Sequence, residues 1–151
     1  MTTEAQVKPE AQFFSLEAPL LAQGRSDTTV AKTDLLRLRL KVYASGGENV
    51  LHLHPYEDHS FIILQGEATF HIGTEDEIKV LTKYQGVMLP HGTPYWFQSS
   101  APENLVMLRA GAAEQWPNEG RIGPDGHAIP GHSLENKHVE SIPIPGAYFR
   151  A

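Results

Sequence analysis

The stretch that decides the fold runs from residue 46 to residue 66, GGENVLHLHPYEDHSFIILQG, and it holds His52, His54 and His59. In a β-strand, residues i and i+2 point to the same face about 6–7 Å apart, so the first two histidines can aim at one point. Residues 55–58 resemble a turn that would bring His59 in from the neighbouring strand. Because neutral imidazole suits Zn, Cu, Fe and Ni, the segment predicts a divalent metal held by these three histidines, with coordination positions left open.

Short strands with turns between them are predicted on both sides of this segment. Residues 35–43 alternate with period two, which predicts a half-buried strand with Arg37, Arg39 and Lys41 on a solvated face. Gly, Pro, Asn and Asp separate the other apolar runs. The further predicted strands are 50–54, 59–65, 67–72, 77–82, 87–89, 94–98 and 104–110. This pattern predicts an all-β sandwich or barrel.

A chain of 151 residues fits a single domain. Residues 1–12 are polar and are predicted to be a flexible N-terminus, and residues 13–112 to form the barrel. Residues 113–151 are rich in Pro, Gly, Asn and His, and we expect an irregular C-terminal extension that packs on the barrel or on a partner subunit.

Composition excludes several classes of function. The net charge of −6 argues against nucleic acid as a partner, because phosphate binding needs clustered Lys and Arg. There is no cysteine, so disulfides and thiolate nucleophiles are excluded. Residues 1–12 lack the apolar segment of a signal peptide, and no run approaches the length of a membrane span. We therefore expect a cytoplasmic protein with no membrane partner.

Two motifs carry a resemblance to a known family. Gly46-x5-His52-x-His54-x4-His59-x6-Gly66 resembles the first cupin motif, G-x5-H-x-H-x3–4-E-x6-G, and residues 86–99 resemble the second, G-x5-P-x-G-x2-H-x3-N. The likeness covers roughly residues 35–110. It implies a single-domain cupin with a jelly-roll-like β-barrel, a metal in the barrel mouth and, frequently, a homodimer.

The chain departs from these motifs at two positions that matter for the chemistry. His59 stands where the family has glutamate, and Tyr95 stands where the second motif has histidine. Tyr95 is the candidate catalytic residue: its phenolate could bind the metal, its hydroxyl could contact substrate, or its ring could form a pocket wall. Glu57 lies next to the metal motif, but we expect it to be solvated in a loop.

Three functions follow as hypotheses. Three neutral histidines leave the metal its full charge, which favours a small anionic chelating substrate of the enolate, phenol or thiol type. The first hypothesis is an Fe(II)-dependent dioxygenase, as the resemblance to three-histidine cupin dioxygenases implies, with Phe61 and Phe97 shaping the substrate pocket; Zn, Mn or Ni are the other candidate metals. The second is a redox-neutral isomerase or lyase in which Tyr95 acts as acid or base. The third is a non-catalytic cupin that binds a small ligand or a metal.

Overall fold

The protein is described by a computed structural model that covers residues 8–45, 49–116, 120–131 and 133–150. Gly46, which opens the first motif, and the first seven residues of the predicted flexible N-terminus lie outside these ranges. Within them the regular secondary structure consists of ten β-strands, and no helix is long and apolar enough to cross a membrane. The strands are β1 (Glu17–Gln23), β2 (Arg25–Lys32), β3 (Leu36–Tyr43), β4 (Asp58–Gln65), β5 (Ala68–Ile72), β6 (Glu77–Leu81), β7 (Gly86–Leu89), β8 (Tyr95–Ser99), β9 (Leu105–Ala112) and β10 (Ile142–Arg150).

The strands form three antiparallel sheets. The central sheet has five strands in the order β2-β3-β9-β4-β7, a second sheet has the order β6-β5-β8, and β1 pairs with β10. In the central sheet, Arg39 of β3 lies opposite Arg109 of β9, which in turn lies opposite Phe61 of β4. This register determines which side chains share the barrel interior.

The central sheet is covered by apolar packing on both of its faces. Its inner face meets the β6-β5-β8 sheet in a core that includes Tyr43, Phe61, Phe70 and Phe97. Its outer face meets the β1-β10 sheet in a second core, built from Ala18, Leu21, Leu40, Val42, Ala44, Val106 and Phe149. The side chains of β3 that alternate with its leucines therefore point into the barrel.

This double covering makes one expectation wrong. Lys41, predicted to lie on a solvated strand face with Arg37 and Arg39, is only 8% exposed. The polar alternation of β3 was correctly recognised, but the polar residues face the barrel interior, and the apolar residues face the β1-β10 sheet.

The C-terminal extension does not stay irregular throughout. Residues 113–141 contain turns and isolated bridges, but Ile142–Arg150 forms β10 and pairs with β1, a strand that was not predicted. The extension thus packs on the barrel of its own chain. Conversely, residues 50–54 form only isolated bridges, between His52 and Tyr95 and between Leu53 and Ile122, where a strand was predicted.

Gly66, the last position of the first motif, has a clear structural reason. It follows β4 with φ +79°, and a Cβ at this position would lie 2.7 Å from the carbonyl oxygen of Asn104. Only glycine adopts this conformation freely and leaves room for so close an approach of the backbone.

Candidate metal centre

The three histidines of the first motif meet inside the barrel. The ring centroids of His52 and His54 are 5.1 Å apart, and those of His54 and His59 are 4.3 Å apart. His52 is held in place by two backbone hydrogen bonds with Tyr95, of 3.1 Å and 2.8 Å. His59 is the second residue of β4, so the turn between the segments brings it to the other two as the sequence predicted.

A carboxylate that the sequence analysis expected to be solvated in a loop also belongs to this cluster. One possible ligand atom from each of His54, Glu57 and His59 lies within 4.8 Å of the others, and this is the arrangement that could hold a metal in the described part of the chain. Oε1 of Glu57 is 2.8 Å from Nε2 of His59. Glu57 therefore points into the site, and its expected solvation in a loop is wrong.

Gly111 explains how Glu57 can reach the site. It lies within β9 directly opposite His59, and a Cβ at Gly111 would overlap Oε1 of Glu57. Glycine inside a strand often marks a close approach of another group. The glycine was thus the one sequence signal that could have pointed to the carboxylate, although not to which one.

His52 lies beside the His54–Glu57–His59 group but is not part of it. Its Nδ1 is 2.6 Å from the carbonyl oxygen of Val50, and because a carbonyl only accepts, Nδ1 carries the proton. Nε2 is then a buried lone pair, with no hydrogen-bond partner among the described residues. A backbone carbonyl commonly orients a metal-binding imidazole in this way. His52 as a ligand stays a prediction.

All three histidines are neutral because they are buried. Burial lowers the pKa of His52 and of His54 far below the ordinary value, and nearby positive charge adds to the effect. Burial likewise lowers the pKa of His59 to about 4, against the opposing effect of the Glu57 carboxylate. Neutral imidazoles offer lone pairs, which is the state in which histidine binds metals.

The buried nitrogens fit a metal ion. Both ring nitrogens of His54 are buried without a hydrogen-bond partner in the described structure. Leaving a buried polar group unsatisfied costs about 1–3 kcal/mol. A divalent cation between His54, Glu57 and His59 would satisfy one of these nitrogens and would bind groups that are already deprotonated.

Arg109 supplies a positive charge at the same place. Its Nη2 lies 2.5 Å from Nε2 of His59 and 3.3 Å from Oε1 of Glu57. That imidazole nitrogen either donates to Glu57 or accepts from Arg109, so only one of the two contacts is a hydrogen bond in a given tautomer. Burial alone would raise the pKa of Glu57, but the contact with His59 and the charge of Arg109 together hold that pKa below its ordinary value.

Tyr95 packs behind the histidines. Its hydroxyl is 3.2 Å from Nδ1 of His59, and the side chain is fully enclosed. Burial raises the pKa of Tyr95, so the phenol keeps its proton. The observed contact orients the His59 ring, while ligation of a metal by Tyr95 stays a prediction.

Phe61 packs against the site, and Phe97 packs against Phe61 with ring centroids 5.8 Å apart. Both are 1% exposed and belong to the inner core, where the Phe61 ring meets the His59 ring edge-on with centroids 6.0 Å apart. Contact of these two side chains with a substrate stays a prediction.

Comparisons with known proteins place the fold. No family model matches the sequence, and no curated protein matches it. Among solved structures, the chain is similar to a conserved protein with a double-stranded β-helix domain from Klebsiella pneumoniae, with 19% identity and a TM-score of 0.64, covering 80% of this chain and 97% of that one.

Two further structures agree. The Cnp3 cupin domain of Schizosaccharomyces pombe is 18% identical with a TM-score of 0.56, covering 62% of this chain and 67% of that one. An oxalate oxidase in complex with the substrate analogue glycolate is 16% identical with a TM-score of 0.52, and the match covers 62% of this chain and 53% of that one. The chain therefore has the cupin fold, a double-stranded β-helix, as its motifs predicted. Within that fold it carries a buried His–Glu–His group that could hold a metal.

Proposed function

We propose that this protein is a metal-dependent oxidoreductase that uses Fe(II) and dioxygen on a small anionic substrate. The observation that carries the proposal is the convergence of His54, Glu57 and His59 within 4.8 Å. Two histidines and one carboxylate with open positions are the donor set of non-haem Fe(II) oxygenases. His52 would be a fourth ligand through its free Nε2.

Glu57 changes the charge argument made from the sequence. Three histidines alone would leave a bound divalent metal with its full charge. The Glu57 carboxylate instead supplies the negative charge that the motif glutamate, replaced here by His59, would have given. The extra attraction for an anionic substrate then comes from Arg109, whose guanidinium lies beside the group.

The metal, when bound, would bring the substrate and dioxygen together and activate them. The chain's own residues prepare that step. Tyr95 orients the His59 ring through its hydroxyl, and the buried Phe61 ring packs against His59 on another side. Arg109 offers N–H donors to an anionic oxygen, and in so buried a place such a charge-assisted bond is stronger than in water. The oxalate oxidase of the same fold acts on a small carboxylate, which supports a substrate of this chemistry.

The test combines metal analysis with oxygen uptake. The purified chain, loaded anaerobically with Fe(II), is expected to bind about one equivalent and to consume oxygen with one member of a panel of small 2-oxo acids, 2-hydroxy acids, phenols and thiols. His54→Ala and Glu57→Gln are expected to lower iron affinity at least tenfold. His127→Gln, an exposed histidine in the extension, is the matched control and should bind iron like the wild type. Unchanged iron affinity in both site variants would refute the proposal.

One observation favours a second candidate, a binding protein that works without metal. Arg109 already contacts His59 and Glu57, so its guanidinium could replace the metal as the cation of the site. The variant Arg109→Gln separates the two candidates. A metal site should bind Fe(II) more tightly once the neighbouring positive charge is gone, whereas a metal-free binding site should bind iron in neither form.

A further inference from the structure

A cavity lies between β2, β3 and the C-terminal extension, and its described lining is strongly basic. Its volume is about 270 Å³, roughly nine water molecules at about 30 Å³ each. We call it the basic pocket. The described residues that line it include four cationic side chains and one carboxylate: Arg25, Arg39, Lys41, Arg121 and Asp27.

The charge of this pocket runs against that of the whole protein. The chain carries a net charge of −6, yet cations outnumber carboxylates in the described lining by four to one. A concave, partly enclosed site of one sign focuses the electric field and concentrates ligands of the opposite sign. The described lining therefore favours an anionic ligand.

Lys41 and Arg39 share one carboxylate among the described residues. The Lys41 ammonium has Asp27 as an ion-pair partner at 3.4 Å, and the same carboxylate oxygen also contacts Arg39 at 3.2 Å. Burial lowers the pKa of Lys41 to about 7 even though Asp27 acts in the opposite direction. An anionic ligand beside Lys41 would act in the same direction as Asp27 and favour the charged ammonium.

The basic pocket lies next to Arg109, which contacts the His54–Glu57–His59 group, here called the metal group. Arg39 lies opposite Arg109 in the β3-β9 register, and Arg109 reaches Glu57 and His59. Strands β3 and β4 are two strand spacings apart across β9, or about 10 Å. The pocket and the metal group are therefore neighbours inside the barrel, an arrangement that suits a ligand with two charged ends.

The C-terminal extension forms the outer wall of the pocket. Arg121, Gly131, His138 and Ser141 all lie along its lining. Arg25 of β2 anchors this wall by donating to the carbonyl oxygens of Asn136, at 2.9 Å, and of Gly131, at 2.5 Å. The extension thus has a role that its composition did not reveal, because it encloses the pocket that the barrel alone would leave open.

We propose that the basic pocket binds one carboxylate of a small dicarboxylate, through Lys41 and Arg39, while the other carboxylate lies at the metal group. The second half of this statement rests on the proposed function, and the first half does not. The proposal narrows the substrate from a small anion to a molecule with two negative ends.

The experiment is calorimetric titration of the full chain with dicarboxylates from succinate to adipate, against butyrate as the matched monocarboxylate. We expect at least one dicarboxylate to bind tenfold or more tightly than butyrate. Lys41→Met should weaken that binding at least tenfold. Arg39→Gln should weaken it as well, because Arg39 is the second cation of the proposed site. Lys79→Met, an exposed lysine on β6, is the control and should change nothing.

Binding by variants that fold decides the test. Wild-type dicarboxylate affinity in a folded Lys41→Met or Arg39→Gln variant would overturn the proposal. Equal affinity for butyrate and for every dicarboxylate would also overturn it. Arg39→Gln, at a less buried position, gives the same test if Lys41→Met does not fold.

The inference and the proposed function fail in distinguishable ways. In His54→Ala, dicarboxylate binding should be weakened, and adding Lys41→Met should weaken it further, because the pocket end is intact in His54→Ala. If the wild type binds iron but no dicarboxylate, the inference about the basic pocket is wrong and the proposed function stands. Dicarboxylate binding with the expected variant effects, in a chain that binds no iron, would remove the proposed function alone.

Discussion

Replacing Lys41 with methionine should remove a pH dependence of stability that the wild type shows. Burial lowers the pKa of Lys41 from 10.5 to about 7 in the folded protein. Between these two values the unfolded chain binds a proton at this position that the folded chain does not. The free energy of unfolding therefore rises with pH in this window, and the gain is lost as the pH falls towards 7.

The magnitude follows from the same values. One pKa unit corresponds to roughly 1.4 kcal/mol. For a folded pKa of about 7, the wild type should gain about 2 kcal/mol of unfolding free energy between pH 7 and pH 9 from this residue alone. Methionine is close to lysine in volume and does not titrate, so Lys41→Met should show no such gain.

Urea unfolding at pH 7, 8 and 9 measures the difference directly. The quantity to compare is the change in unfolding free energy with pH, wild type against Lys41→Met, so that groups common to both cancel. Lys79→Met, exposed on β6, should keep the wild-type slope. If Lys41→Met keeps that slope as well, the ammonium of Lys41 is solvated and the description of the basic pocket is wrong.

Three further predictions concern the metal group and its frame. Gly111→Ala should lower iron affinity at least tenfold, measured by competition with a chelator, because the new methyl group would displace Glu57; unchanged affinity would show that the carboxylate is not a ligand. Gly66→Ala should cost about 1–3 kcal/mol of unfolding free energy in urea, since it combines a positive φ with an approach of 2.7 Å to the Asn104 oxygen, and a neutral effect would contradict the turn geometry. Tyr95→Phe should lower the free energy of unfolding in urea by about 1 kcal/mol, because it removes the hydroxyl that contacts His59. Equal metal affinity in wild type and Tyr95→Phe would restrict the tyrosine to orienting the histidine, whereas a tenfold loss would indicate ligation.

Features that depend on short stretches of chain were predictable. The alternation of residues 36–43 follows from the two-residue period of a strand, and β3 was predicted within one residue of its start. The spacing of His52, His54 and His59 likewise required only a two-residue repeat and a turn, and the three rings do meet. Side-chain direction along a strand is a local property, so the sequence carries it.

Pairings between distant parts of the chain were not predictable in this way. β1 and β10 are separated by more than one hundred residues, and the sequence pattern of neither strand indicates which strand it pairs with. Their sheet covers the outer face of β3, and this covering turned an expected solvated face into the wall of a buried pocket. Which face of an alternating strand meets water depends on what packs against it, and a single strand does not contain that information.

The metal group shows the same division. By itself, the sequence predicted the cupin fold and the meeting of the three histidines, because strand period and motif spacing are properties of the sequence alone. Only the tertiary structure decided that Glu57 enters the group, through the space left at Gly111, and that Arg109 lies against it. The physical reason is that a site's charge is the sum over every strand that reaches it, and β9 reaches this one from fifty residues away.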